Sequence, residues 1–179
     1  SDHGDYLGDH WMGENDLFHD PSVKIPMIVY DPRSEADATR GTTCEALVES
    51  LDLAATFVEV AGSEVPGHII EGRSLLPWLR GETPDWRDFV VSEYDYSVRA
   101  ARQILGQELK DARLLMIFDG RMKMILAPGY RPMLFDLQED PRELRNLADE
   151  ADHRDIRLAC AEELLAWRAR HLDRALTHI

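Results

Sequence analysis

The chain has 179 residues, enough for one compact domain with a core but too few for two enzyme domains of ordinary size. Its formal net charge of -14 disfavours binding to nucleic acid or to anionic membrane surfaces, and no apolar run approaches the ~20 residues that a membrane-spanning helix needs. Cys44 and Cys160 show no CxxC spacing, so neither a disulfide scaffold nor a zinc cluster is expected. The cysteines do not distinguish a cytoplasmic from a periplasmic location.

The first half of the chain predicts part of an α/β layer. Residues 1–24 carry glycines, acidic residues and histidines without periodicity, which indicates a loop. The run 25–30 has the length and the β-branched content of a buried strand. A helix is expected to follow, with Thr42 or Thr43 as its cap and Val60 near its end.

The second half predicts a small antiparallel sheet followed by a terminal helix. Asp119 and Gly120 separate two strand-like runs, which is a strong hairpin signal. The polar stretch 97–111 interrupts the sheet and has helical character, and a long amphipathic helix is expected over 152–176. The four predicted strands are 88–94, 113–118, 121–127 and 133–137.

Candidate metal ligands stand at the beginning of the sequence. Asp2 and His3 lie between Ser1 and Gly4, and a glycine permits the sharp turn at which both side chains reach one ion. Carboxylate oxygen suits Mg, Ca and Mn, whereas imidazole shifts the preference towards Mn, Fe or Zn. The pair is compatible with Mn or Ca, and these residues alone leave an ordinary solvated loop as the alternative.

Three blocks of the sequence resemble the sulfatase family in the family's own order. SDHGDYLGDHWMGE followed by IPMIVYDP resembles the segment that supplies two metal ligands in sulfatases and phosphonate monoester hydrolases. The stretch from LDLAATFVEVAG through GRSLLP to SEYD, and then MLFDLQEDPRELRNLADE, are similar to later family segments. The resemblance implies the C-terminal part of an alkaline-phosphatase-like α/β fold. Its last main-sheet strand and helix would occupy 1–80, and a small antiparallel sheet with a terminal helix would occupy 81–179.

The resemblance also implies an activity, the hydrolysis of sulfate esters with a divalent metal and a formylglycine nucleophile. Asp2 and His3 match the family's metal ligands, and His10 would lie near the substrate. The CxPxR signature of the formylglycine precursor is absent, so Cys44 and Cys160 are interpreted as buried residues of helices. We therefore expect this chain alone to be inactive and to need the missing N-terminal half of the catalytic domain as its partner.

One position departs from the family pattern, and other functions stay open. Asn15, beside Glu14, stands where the family usually places a lysine that contacts the ester oxygens, and an amide donates a hydrogen bond but carries no charge. The runner-up activity is hydrolysis of phosphonate monoesters or phosphodiesters, towards which residues 81–95 lean by similarity. A non-catalytic binding or assembly module, including a homo-oligomer, is the alternative of another class. A phosphomutase of the same superfamily fits the GRSLLP and FDLxxDP blocks poorly.

Overall fold

The computed structural model describes residues 1–171, and the chain divides into two compact units. One unit contains Ser1–Asp16 and Asp20–Val90, and the other contains Leu17–His19 and the chain from Val91 onward. The predicted division of the chain at residue 80 stays a prediction. Within residues 1–171, no helix combines the length and the apolar character needed to cross a bilayer.

Loops and short helices make up most of the first unit. The predicted strand over 25–30 is wrong within residues 1–171, because no strand pairs with it and Ile28 is 93% exposed. A strand is stabilised by ladder hydrogen bonds to a neighbour, and these residues have none to complete a sheet. The helices of this unit are α1 (Asp20–Val23), α2 (Asp52–Val60) and α3 (Leu76–Leu79), with 3-10 helices at Asp9–Trp11 and Ser34–Thr39.

Helix α2 begins about nine residues later than predicted, and neither Thr42 nor Thr43 caps it. The residues before it are held by side chains from further along the chain. The carbonyl of Leu47 accepts hydrogen bonds from Trp86 Nε1 at 2.7 Å and from Arg87 at 3.1 Å. These bonds occupy a backbone group that a longer helix would have needed for its own ladder.

The four predicted strands form, and they make one sheet. Strands β1 (Val90–Asp95), β2 (Arg113–Phe118), β3 (Met122–Leu126) and β4 (Met133–Asp136) lie in the order β1-β2-β3-β4. β2 pairs antiparallel with β3, and β3 pairs antiparallel with β4. The predicted hairpin is confirmed, since Asp119 Oδ1 accepts the Met122 amide at 2.6 Å and Gly120 takes the left-handed conformation at φ 95°.

Strand β3 carries a buried charged residue, Lys123, next to its first residue. Lys123 is only 1% exposed, and its ammonium lies 2.8 Å from the carboxylate of Glu143. Phe118 places its ring 5.8 Å from the same ammonium. A buried lysine is stable only with such an opposite charge beside it, so this pair ties the segment after β4 to the middle of the sheet.

The remaining elements of the second unit are helical. The stretch 97–111 contains α4 (Ala100–Ile104) and a 3-10 helix at Leu109–Asp111, which confirms its helical character in part. A 3-10 helix at Ala151–His153 leads into α5 (Arg154–Arg170), whose Leu164 is buried. The predicted end of this helix, over residues 172–176, lies outside the described residues.

Candidate active site

The side chains of Asp2 and His3 lie close to each other. His3 Nε2 lies 3.7 Å from Asp2 Oδ2, and both side chains are more than half exposed, Asp2 at 89%. His3 Nδ1 lies 2.7 Å from the carbonyl oxygen of Gly4. A carbonyl only accepts hydrogen bonds, so Nδ1 carries the hydrogen and the lone pair of the neutral ring is on Nε2, on the side of the carboxylate.

The electrostatics of Asp2 favour its charged form. The Asp2 amide hydrogen bond and the neighbouring His3 lower the pKa of the Asp2 carboxyl below its ordinary value. An ionised carboxylate and an imidazole with a fixed tautomer are the forms in which these groups bind a divalent cation. Two ligands are an incomplete set, and among residues 1–171 no cluster of three or more His, Cys, Asp or Glu side chains is placed to hold a metal.

Gly4 is required by a close backbone approach rather than by the turn that the sequence suggested. A Cβ atom on Gly4 would lie 1.9 Å from the carbonyl oxygen of Pro21, a distance that no side chain tolerates. The Gly4 amide also donates to the Ser22 carbonyl at 2.7 Å. Because Gly4 has no side chain, the backbone of Pro21 and Ser22 in α1 can lie directly against the Asp2–Gly4 segment. This contact fixes the position of the segment.

The same contact positions Asn15. Ser22 Oγ donates to the Asn15 carbonyl at 2.7 Å, so Gly4 and Asn15 are both bonded to Ser22. The Tyr6 amide donates to the Glu14 carbonyl at 3.2 Å, which closes the intervening loop at its base. Asn15 is half-buried beside the Asp2–Gly4 segment, where its amide offers a hydrogen-bond donor without a charge.

His10 lies further out, in the loop closed by Tyr6 and Glu14. Its ring packs edge-on against the ring of Tyr6 with the centroids 6.0 Å apart, and its backbone takes φ 51°. Trp11 next to it is 100% exposed and also has a positive φ, of 62°. The predicted role of His10 near a substrate stays a prediction.

The structure also places the two cysteines and Lys24. Cys44 is exposed in an irregular segment, so its predicted helical position is wrong, because α2 starts after it. Cys160 lies half-buried in α5, where burial raises the pKa of its thiol. Lys24 pairs with Asp20 at 3.7 Å on the surface.

Sequence reasoning missed a buried charge cluster within the second of the three family-like blocks. Asp52, fully buried at the start of α2, accepts hydrogen bonds from the Arg87 guanidinium at 2.5 and 2.6 Å and from the Arg73 amide at 2.8 Å. Burial alone would raise the pKa of Asp52, but Arg87 and the backbone donors bring it below its ordinary value. Gly72 completes the junction, because a Cβ there would lie 2.2 Å from the Leu51 carbonyl oxygen.

Comparison with known proteins identifies the family. A family model described as N-sulphoglucosamine sulphohydrolase, C-terminal, matches residues 8–170, so the chain belongs to this family of sulfatase C-terminal domains. The resemblance seen in the sequence is thereby confirmed. The α/β fold with its antiparallel sheet and terminal helix is that of sulfatases with an alkaline-phosphatase-like architecture.

Individual relatives include both sulfatases and phosphonate hydrolases. A multifunctional alkaline phosphatase superfamily protein of Trinickia caryophylli is 35% identical over 99% of this chain and 35% of its own length. An arylsulfatase of Clostridium perfringens is 26% identical over 87% of this chain and 30% of its own length. The crystal structure of a phosphonate monoester hydrolase of Agrobacterium radiobacter superimposes with a TM-score of 0.87 at 35% identity, covering 98% of this chain and 35% of that protein. The chain thus spans about a third of the length of these relatives.

Proposed function

We propose that the protein containing this chain is a metal-dependent hydrolase of sulfate esters, and that Asp2 and His3 are two ligands of its divalent ion, Mn or Ca. The observation that supports this proposal is the 3.7 Å approach of His3 Nε2 to Asp2 Oδ2, with the tautomer fixed by Gly4. The remaining ligands and the formylglycine nucleophile would come from residues outside these 179, in line with the greater length of the relatives.

Each residue of the segment would have a separate task. A bound divalent ion supplies positive charge against the negative charge that develops on the ester oxygens. Asp2 and His3 would orient that ion, since one is held ionised and the other presents its lone pair. Asn15 would donate a hydrogen bond to an ester oxygen, and because it brings no charge the positive field there must come from elsewhere.

Hydrolysis of a phosphonate monoester is the second candidate. The specific support is the 35% identity to the Agrobacterium radiobacter phosphonate monoester hydrolase, against 26% to the Clostridium perfringens arylsulfatase. Both esters present a tetrahedral anionic centre to the same kind of metal site, so the residues described here fit either substrate.

Association with the missing part of the catalytic domain is a further part of the proposal. The apolar residues Ile28, Val29 and Tyr30 are exposed, and among residues 1–171 no strand pairs with them. Such a segment gains both ladder hydrogen bonds and apolar burial when another strand is added beside it. A second copy of the chain would cover the same residues in a homo-oligomer, which is the alternative occupant.

The test uses the full-length protein that contains this chain, with Asp2→Asn and with Asp9→Asn as a control in the same exposed loop. Hydrolysis of phenyl sulfate and of a phenyl phosphonate monoester is measured together with the bound metal by elemental analysis. We expect Asp2→Asn to lower kcat/KM at least about 100-fold and to reduce bound metal, because a charged ligand is lost. The Asp9 variant should keep both. Full activity and full metal content in Asp2→Asn would overturn the proposal.

A further inference from the structure

The loop that follows the Asp2–Gly4 segment displays a tryptophan in an unusual way. Trp11 is 100% exposed, and its backbone φ of 62° lies in the left-handed region that large side chains rarely adopt. Leu7 and His10, in the same turn, also have positive φ values of 47° and 51°. An exposed indole is costly in water, and a strained backbone adds to this cost, so packing within the described chain does not explain the arrangement.

The turn is nevertheless well determined by hydrogen bonds. The Leu7 amide donates to Asp5 Oδ1 at 3.0 Å, and the Gly8 amide donates to the Met12 carbonyl at 2.8 Å. Tyr6 anchors the base of the loop, because its side chain is buried to 1% exposure. The backbone that carries Trp11 is therefore held before anything binds to it, which reduces the loop entropy that a ligand must overcome.

We propose that Trp11 is a specificity-determining residue whose indole stacks on a flat, unsaturated organic group of the ester substrate. This inference rests on the proposed function, in which the charged end of the ester lies at Asp2 and His3. Tyr6 and Trp11 are five residues apart, so the backbone of Trp11 lies at most about 17 Å from that of Tyr6 at the base of the loop. Aromatic faces attract one another in offset or edge-to-face contact.

The charge of the loop narrows the substrate class further. Residues 1–16 contain five acidic side chains and no lysine or arginine. A second negative charge on the organic part of the substrate would be repelled there, so an ester whose aromatic part is uncharged fits this loop better than an acidic saccharide sulfate. The five acidic residues are Asp2, Asp5, Asp9, Glu14 and Asp16.

The alternative is that a distant segment of the full-length protein, and not the substrate, packs against the Trp11 indole. Packing of that kind would make Trp11 a structural residue, and its removal would then weaken all ligands and the fold together. Selective loss of aromatic ligands is the property that only direct stacking predicts.

The experiment compares the full-length protein with its Trp11→Ala and Trp11→Phe variants, and with Leu7→Ala as the matched control. Leu7 is suitable because it is 87% exposed in the same turn and has a positive φ of its own. Binding of benzenesulfonate and of methanesulfonate, which have no ester bond to break, is measured by calorimetry. Hydrolysis of phenyl and methyl sulfate esters and the melting temperature are measured in parallel.

We expect Trp11→Ala to weaken benzenesulfonate about 10-fold, since a stacked aromatic ring contributes on this scale. In Trp11→Ala, methanesulfonate affinity should stay within about two-fold of the wild-type value and the melting temperature should be unchanged. Leu7→Ala should bind both sulfonates as the wild type does, and Trp11→Phe should retain most of the preference for benzenesulfonate. Equal loss of both sulfonates, or loss of neither, would overturn the inference. Should the wild-type protein bind benzenesulfonate through Trp11 but hydrolyse no ester, the proposed function fails and the stacking role stands.

Discussion

Residues 1–15 and residues 133–150 both carry family-like motifs, and they use their charged groups differently. In the first segment Asp2 and His3 are exposed, face each other across 3.7 Å, and leave a ligand set incomplete. In the second segment Glu143 is buried against Lys123 at 2.8 Å. Asn146 Oδ1 accepts the amides of Leu134 and Ala148 at 2.9 and 3.0 Å.

The difference shows that a family motif can be explained physically in either of two ways, by its role in the fold or by its role in binding a ligand. The polar groups of the second segment are used up in holding the turn after β4 against the sheet, so this motif is architectural. The polar groups of the first segment are held in place by backbone contacts at Gly4 and Ser22 while their side chains remain open to a ligand. Substitutions in the two segments should therefore separate stability from activity.

The largest expected effect is on stability, from Glu143→Gln in the full-length protein. This change leaves the ammonium of Lys123 buried without its opposite charge, which costs about 3–5 kcal/mol of unfolding free energy. Urea denaturation measures the loss. Glu139→Gln, at an exposed position of the same segment, should cost no more than about 0.5 kcal/mol. Equal stability of the two variants would show that the buried pair does not hold the segment.

The next effect is on activity, from Gly4→Ala. The added Cβ would meet the Pro21 carbonyl oxygen at 1.9 Å, so the Asp2–Gly4 segment must shift, and a displacement near 1 Å lowers kcat/KM about 100-fold. Gly13→Ala is the control, because a Cβ there meets nothing within 4 Å and its backbone needs no left-handed conformation. Ester hydrolysis by both variants gives the comparison. Full activity in Gly4→Ala would remove the close approach as the reason for this glycine.

The smallest expected effect is a change of stability with pH that comes from Asp52. Its folded-state pKa is lowered despite burial, so its carboxylate stabilises the fold at neutral pH and loses this contribution as pH falls below about 4, the unfolded value. Unfolding free energies of wild type and Asp52→Asn are compared at pH 7 and pH 3. The variant should lose less on acidification, and Asp85→Asn, an exposed neighbour of the cluster, should follow the wild type. Parallel curves for wild type and Asp52→Asn would contradict the linkage.

Local sequence patterns predicted the second unit well. Short strand-like runs separated by turn residues, among them the Asp119–Gly120 turn, indicated all four strands, and each strand pairs with the next one along the chain. The predicted strand over 25–30 does not form, because a strand needs a pairing partner and the described residues supply none for it. Asp2, His3 and Asn15 were identified as candidate site residues from the family resemblance, and hydrophobic periodicity did not contribute.

Long-range pairs could not be predicted. The start of α2 depends on Trp86 and Arg87, which bind Leu47 from about 40 residues further on. Lys123 has the residue type of an exposed position, and its buried ion pair is with Glu143, which is distant in sequence. The sequence did not single out Trp11, although it lies within the first family-like block. Its full exposure and its positive φ cannot be predicted from the fact that it is a tryptophan.

The sheet order β1-β2-β3-β4 repeats the order in which the strands are synthesised. Each strand therefore finds its neighbour already made when it leaves the ribosome, and the entropy of closing each connecting loop stays small. The Lys123 ammonium enters the core with β3, whereas the Glu143 carboxylate that neutralises it emerges 20 residues later. Completion of this sheet is consequently tied to the arrival of the segment after β4, which brings the carboxylate that makes the burial of Lys123 tolerable.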